Sequence, residues 1–278
     1  MKRVILTLSM CLAVVMASAQ ENLKVAYSHT VPQVQGDTLR TAKFILLSGS
    51  GHSLYYNQMS LYVDSLTSTP EGEKRLEEIQ WAAWKVDTGD GSFTLDMRRP
   101  APRKQENVYV DKDFNRSELH YFDKFAGELG KYSEPFDELQ WEIKGDSTAT
   151  LLGYDCFMAE ADYHGRVWKA WFAPEIPVQD GPWKLQGLPG LILKAEADNG
   201  AVFEATGVEV TSVVVPEVYQ SGRYARVERR KGLAEEEHYR KNYVSTLAAQ
   251  GIKITGANGA PYQAPEFVRD KHALERDY

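Results

Sequence analysis

Between residues 139 and 214 the chain is a succession of short apolar runs of period two, each closed by a tight-turn signal. Such a pattern can bury its apolar positions only as strands of an antiparallel sheet. Leu139, Trp141 and Ile143 alternate with polar residues ahead of a turn expected at Gly145-Asp146. Residues 154–161 read as the next strand, Tyr163-His164-Gly165 as a turn, and residues 166–172 as a third strand. In that third run Trp168, Ala170 and Phe172 share one face, with Val167, Lys169 and Trp171 on the other. Residues 191–197 and 201–205 flank Asp198-Asn199-Gly200, a strong hairpin signal. Val208, Val210, Ser212 and Val214 continue on one face.

Helices are few. Residues 70–84 begin with Pro and Glu and carry Leu76, Ile79 and Ala83 on one stripe. A second helix is expected over 233–249, with Tyr239, Tyr243, Val244 and Leu247 as its apolar stripe and Gly251 as its stop. The basic cluster Arg223, Arg226, Arg229, Arg230 and Lys231, followed by Glu235-Glu236-Glu237, reads as a solvated loop and helix start rather than a patch for an anionic ligand. From residue 251 the composition turns to Gly, Ala, Pro and Asn and then to charge, which predicts a loosely ordered tail. The fold class is therefore mostly β (α+β): one domain over 20–278, a curved antiparallel sheet or half-barrel with one or two packed helices.

The amino terminus says where the chain goes. Met1-Lys2-Arg3 is a positive start, residues 4–16 are apolar, and Ala17-Ser18-Ala19 fits a small-x-small cleavage site. Residues 1–19 read as an export signal, since the apolar run is too short to span a bilayer. Met10 before Cys11 argues against lipid anchoring, and no later stretch predicts a transmembrane segment in the mature chain. Cleavage would take the net charge from −7 to −9 and leave Cys156 as the single cysteine. An exported chain with one cysteine must be held by its core rather than by a disulfide. Phe157 and Met158 beside Cys156 predict that it is a small buried hydrophobe. An acidic chain without a long basic run is also a poor nucleic-acid binder.

Several fragments of catalytic or metal motifs are incomplete. Asp87-Thr88-Gly89 spells the aspartic-protease triplet, but that chemistry needs two carboxylates, and the flanking Lys85 and Asp90-Gly91 read as a polar turn. Asp111, Asp113, Asn115 and Ser117 alternate like the start of a calcium loop, yet the expected Gly is Arg116 and the expected bidentate Glu is Phe122. Glu235-x-x-His238 has one-turn spacing without the second copy that a carboxylate-bridged metal site requires. The six histidines are scattered, and neither a nucleophile elbow nor a Walker loop occurs. No catalytic site, metal site or cofactor is expected.

The distinctive segment is 154–198, with Trp168, Trp171 and Trp183 and the prolines Pro174, Pro177, Pro182 and Pro189. Leu188-Pro189-Gly190-Leu191 has the residues of a type II turn. Gly187-Leu188-Pro189-Gly190-Leu191-Ile192, with Tyr154-x-Cys156-x-x-Ala159, Arg166-x-Trp168-x-Ala170-Trp171-Phe172, Ile176-Pro177 and Gly181-Pro182, resembles the GLPGLI family of exported Bacteroidota proteins. The resemblance implies a Gram-negative cell envelope and carries no catalytic residue. More distantly, that family is similar to the curved half-barrels of lipoprotein carriers and related outer-membrane sorting proteins, an analogy of fold alone.

Core packing is the plain reading of the three tryptophans. Trp171, on the face opposite Trp168, and Trp183, in a loop that could be exposed, are the candidate ligand- or partner-binding residues, with Arg166 at the start of the Trp168 strand. The expected function is a non-catalytic accessory protein of the periplasm or outer-membrane surface. It would bind a lipophilic or peptidic ligand in a concave sheet face, in a pocket lined by apolar side chains and empty of charge. The alternative is an adaptor that docks on an outer-membrane transporter or assembly through the Pro-rich loop at 174–189.

Overall fold

The computed structural model describes residues 22–34, 38–136, 139–255, 259–263 and 265–278; the expected export signal lies outside them. Strands β1 (Asn22–Pro32), β2 (Leu39–Gly49) and β3 (His52–Asn57) form a meander. Its second turn, at Ser50-Gly51, puts both residues at positive φ. Asn57 ends β3 and caps α1 (Gln58–Thr67) by accepting the Ser60 N–H at 2.9 Å. Thr69 caps α2 (Pro70–Trp84) in the same way, with Pro70 in the first turn, where its missing N–H costs nothing. A short hairpin of β4 (Lys85–Asp87) and β5 (Phe93–Leu95) follows and pairs only with itself.

The chain then returns to the sheet. Strands β6 (Tyr109–Asp113), β7 (Glu118–Phe125) and β8 (Glu128–Pro135) extend it from β3. The run from β9 (Glu142–Leu151) through β10 (Tyr154–Tyr163), β11 (Arg166–Ala173) and β12 (Leu191–Ala197) to β13 (Val202–Thr211) closes onto the other side of β1. A two-residue strand, β14 (Ala225–Arg226), lies parallel to β8. The result is one open sheet of twelve strands, in the order β14-β8-β7-β6-β3-β2-β1-β13-β12-β11-β10-β9. Helices α3 (Arg229–Ala249) and α4 (Arg269–His272) complete the chain. Among the described residues no helix is long and apolar enough to cross a membrane.

Curvature follows from one distance. Seven strands separate β8 from β11, so in a flat sheet they would lie roughly 38 Å apart at the usual strand spacing. Yet Glu134 of β8 and His164, in the turn that leads into β11, approach to 2.9 Å. The sheet therefore curls until its two flanks meet around a shared interior. Val25, Tyr27, Phe44, Leu46, Tyr55, Tyr121, Tyr132, Trp168 and Phe203 line that interior. On the outer face, Ile45, Leu47, Leu54, Tyr56 and Tyr109 pack with Leu61 of α1 and with Val215, Val218 and Tyr224. Both faces of β2 are therefore apolar, as a strand covered on both sides requires.

Four expectations need correction. The Gly145-Asp146 turn is instead a break in register within β9, where pairing jumps from Thr148 to Lys144; the reversal comes at Leu152-Gly153. Gly190 does not occupy a type II turn: its φ is 154°, and its N–H bonds back to the Leu188 carbonyl at 2.8 Å. Helix α3 begins at Arg229 because Glu228 accepts the N–H groups of Arg230 and Lys231. Its predicted apolar stripe is not buried: the helix seats through Gly232, whose added Cβ would lie 3.1 Å from Phe125. The loose tail does not describe residues 267–278, where Phe267 and Glu275 are buried. Ion pairs hold that segment down, which an expectation based on composition misses.

Candidate functional site

The connection from β11 to β12 turns inward. Residues 180–186 are all buried, and the loop fills the curl of the sheet like a plug. Trp183 is 1% exposed and packs on Trp168 at 5.4 Å between ring centroids, with Tyr163 and Phe203 at 6.2 Å. Two buried lysines fix the plug. Lys112 of β6 donates to Asp180 at 2.7 Å and to the carbonyls of Gly181 and Leu185 at 2.7 and 3.1 Å. Burial pushes the Lys112 ammonium down from its ordinary pKa, and Asp180 beside it opposes that. Lys184 reaches Glu134 at 2.5 Å and Glu275 at 2.6 Å, with its ammonium over the rings of Tyr132 and Tyr121 at 4.7 and 5.0 Å.

Around Lys184 the buried charges form a connected cluster. Arg229 at the start of α3 meets Glu134 at 3.0 Å, Glu275 at 2.5 Å and Asp277, and His164 lies 3.3 Å from Asp277. This cluster joins β8, the β10–β11 turn, the plug, α3 and the end of the chain. Glu134, His164 and Glu275 present donor atoms within 4.8 Å of one another, a spacing that could hold a metal ion. Their carboxylates already face Lys184 and Arg229, so a divalent cation would enter against two positive charges, and we read the group as an ion cluster. Arg166 extends it: the side chain is 1% exposed and donates to the carbonyls of Ala273 and Arg269 and to Asp198.

Next to the plug lies a cavity of about 440 Å³. Its floor is the inner face of β1, β2 and β7, with His29, Phe44, Tyr121 and Phe125, and Trp183 forms one wall. Leu233 and Arg240 of α3 and the segment carrying Phe267, Leu274 and Tyr278 roof it. The pocket was expected to be free of charge; its rim instead carries Arg40 paired with Glu106, Arg240 paired with Glu236, and Asp123. Asp123 accepts from the Tyr121 hydroxyl at 3.2 Å, and burial pushes its carboxyl up to about 6. His29 is held between Phe44 and Phe203, and burial lowers its pKa to about 3, so the ring is neutral. The indole N–H of Trp183 is buried without an aligned hydrogen-bond partner.

Of the candidate residues, Trp183 reaches this cavity, and it does so from inside the core rather than from an exposed loop. Arg166 acts on the roof through the Ala273 and Arg269 carbonyls. Trp171 is half-buried on the opposite face of β11, under the Lys194 ammonium at 5.3 Å, away from the cavity. Cys156 is buried and free, as its neighbours predict. Asp87 is exposed and accepts the Gly89 N–H, which makes it a turn residue. Asp111 bonds His52, and Asp113 accepts the N–H groups of Asn115 and Arg116.

The charged interior predicts acid sensitivity. His29 takes up a proton below pH 6.5 when unfolded but only near 3 when folded, so stability falls with pH across that window. Glu134, held at about 2 by Lys184 and His164 against its burial, adds stability above pH 4.5 that is lost as pH falls through about 2. Asp123 works in the opposite sense between 6 and 3.8. Between pH 6 and 3.8 His29 and Asp123 therefore nearly offset each other, so His29→Gln should make the urea midpoint rise as pH falls from 6 to 4.5, where the parent stays close to level.

With this geometry in hand, comparison with known proteins adds little beyond one segment. Residues 162–194 match the model of a family described as "Protein of unknown function (Porph_ging)". That stretch holds β11 and the plug. No curated protein matches the chain. Among solved structures, PNGF-II in a C2 crystal is similar at 15% identity and a TM-score of 0.49, over 79% of this chain and 33% of that one. PNGF-II in a P21 crystal gives 15% and 0.47, over 79% and 34%. MucB in complex with MucA(peri) gives 8% and 0.23, over 71% and 52%. This chain thus spans about a third of the PNGF-II chain.

Proposed function

We propose that this is an exported, non-catalytic envelope protein of the GLPGLI type that holds one amphiphilic molecule in the cavity under α3. The observation that carries the reading is the cavity itself. Its volume falls in the ~300–1,000 Å³ range of small-molecule sites, and it has an aromatic floor and a charged rim. An apolar body would lie on Phe44, Phe125 and Trp183, and a polar end would meet Asp123 and the Tyr121 hydroxyl. A wholly apolar cargo would take the Asp123 carboxyl out of water with no polar group of its own to offer it, which is costly. The inward packing of residues 180–186 weighs against the adaptor reading, since the Pro-rich loop spends its aromatic side chain on the core.

The test is native mass spectrometry of the protein purified gently from its own cells. The reading expects one bound mass per chain that organic extraction releases. Bare protein under the same conditions would contradict it.

A further inference from the structure

The β4–β5 hairpin stands apart from the main sheet, resting on α2 through Trp81, whose ring meets that of Phe93 edge-on at 5.8 Å. Phe93 and Leu95 alternate onto one side of β5, and Met97 follows them. All four side chains face solvent, Trp81 at 49% and Met97 at 63% exposure. Apolar side chains of this size, gathered on one projecting unit, mark an interaction site. Cations belong to the same stretch: Lys85 lies over the Phe93 ring at 4.7 Å, Arg99 is exposed and donates to the Lys85 carbonyl at 3.0 Å, Arg98 is 91% exposed, and Arg103 is exposed. From Lys85 to Lys104 the chain has five basic and three acidic residues, although the whole carries a net charge of −7. Of the acids, Asp96 is bonded to Arg98, while Asp87 and Asp90 occupy the hairpin turn. Glu77 and Glu78 lie one turn before Trp81.

We propose that this unit docks on an anionic lipid surface, with Trp81, Phe93, Leu95 and Met97 entering the headgroup layer and Lys85, Arg98, Arg99 and Arg103 meeting lipid phosphates. Exposed Trp, Phe, Leu and Met beside Lys and Arg are the chemistry of interfacial binding. The remaining negative charge of the protein would be repelled by the same surface, which orients the molecule with this unit foremost. A second copy of the chain fits the face worse, because a two-fold contact would bring Arg98, Arg99 and Arg103 against their own equivalents. The inference is independent of the cavity.

The experiment is co-sedimentation with vesicles of phosphatidylcholine alone and of phosphatidylcholine with phosphatidylglycerol, at low and high salt. Partition should be about tenfold or more stronger on the anionic vesicles at low salt, and should fall with salt. Phe93→Ser with Met97→Ser, and separately Arg98→Glu with Arg103→Glu, should each reduce it by about tenfold. These positions are exposed, so circular dichroism should stay unchanged. Tryptophan emission should shift to the blue on binding, and Trp81→Phe should remove the shift. Equal partition on both vesicles, binding that survives both double variants, a dimer by light scattering that depends on this face, or affinity only for an acidic protein would each overturn the proposal.

Discussion

Replacing Lys184 with Met should lower stability by about 3–5 kcal/mol, the usual cost of removing one partner from a buried ion pair. Lys184 is fully buried and is the cation shared by Glu134 and Glu275. Its loss leaves two buried carboxylates with Arg229 and His164 as their remaining basic neighbours. For a chain of this size each kcal/mol moves Tm by about 2–4 °C, so the expected fall is on the order of 10 °C. Adding Glu134→Gln to Lys184→Met should recover part of it, since one unpaired charge is then gone. Lys169→Met is the control: its pair with Glu160 is 3.6 Å apart and solvent-exposed, and should be worth under about 1 kcal/mol. Thermal unfolding of the three variants checks the set. Equal Tm for Lys184→Met and the parent would mean that the cluster does not hold the plug.

The second large effect separates the two glycines of the GLPGLI hexapeptide. A Cβ on Gly190 would sit 2.3 Å from the Ala173 carbonyl oxygen and 2.8 Å from the Pro174 nitrogen, all rigid backbone at the foot of the plug. A Cβ on Gly187 would meet nothing within 4 Å, so only its φ of 91° disfavours a side chain. Gly190→Ala should therefore cost about 3 kcal/mol or more, from overpacking plus backbone strain. Gly187→Ala should cost about 1–2 kcal/mol. Denaturant midpoints for the two variants test the difference, and equal losses would contradict it. Strand β11 and the return strand β12 leave and re-enter the sheet at one point, and only a residue without a side chain lets their backbones pass.

Much of this architecture was legible in the sequence because local pattern dictates it. The Trp168-Ala170-Phe172 alternation names the buried face of β11, and Asp198-Asn199-Gly200 marks the β12–β13 hairpin. Pro70 and the acidic first turn place α2. What the sequence hid is non-local. Lys112 and Asp180, or Glu134, Lys184 and Glu275, are far apart in the chain, and each looks like an ordinary surface charge until the sheet curls. A signal did exist at Lys184, a lone lysine between Trp183 and Leu185 in a loop otherwise rich in Pro, Gly and apolar residues. That setting reads as exposed if the loop is assumed to face solvent, and the same assumption misplaced Trp183. The cavity was hidden for a related reason: half of its roof comes from the segment after residue 251, where composition suggests looseness and ion pairing supplies order. Trp171 does not line the cavity because alternation puts it on the outer face of β11.

The central claim is that the curled sheet, sealed by its plug and its terminal segment, holds an amphiphile against Phe44, Phe125 and Trp183. The most direct measurement is native mass spectrometry on two proteins purified in parallel from the source cells, the parent and Ala42→Trp. Ala42 lines the cavity floor, so an indole there would fill the space. The account predicts one extractable bound mass on the parent and none on Ala42→Trp, with both folded. Bare parent protein, or the same mass retained by Ala42→Trp, would contradict it.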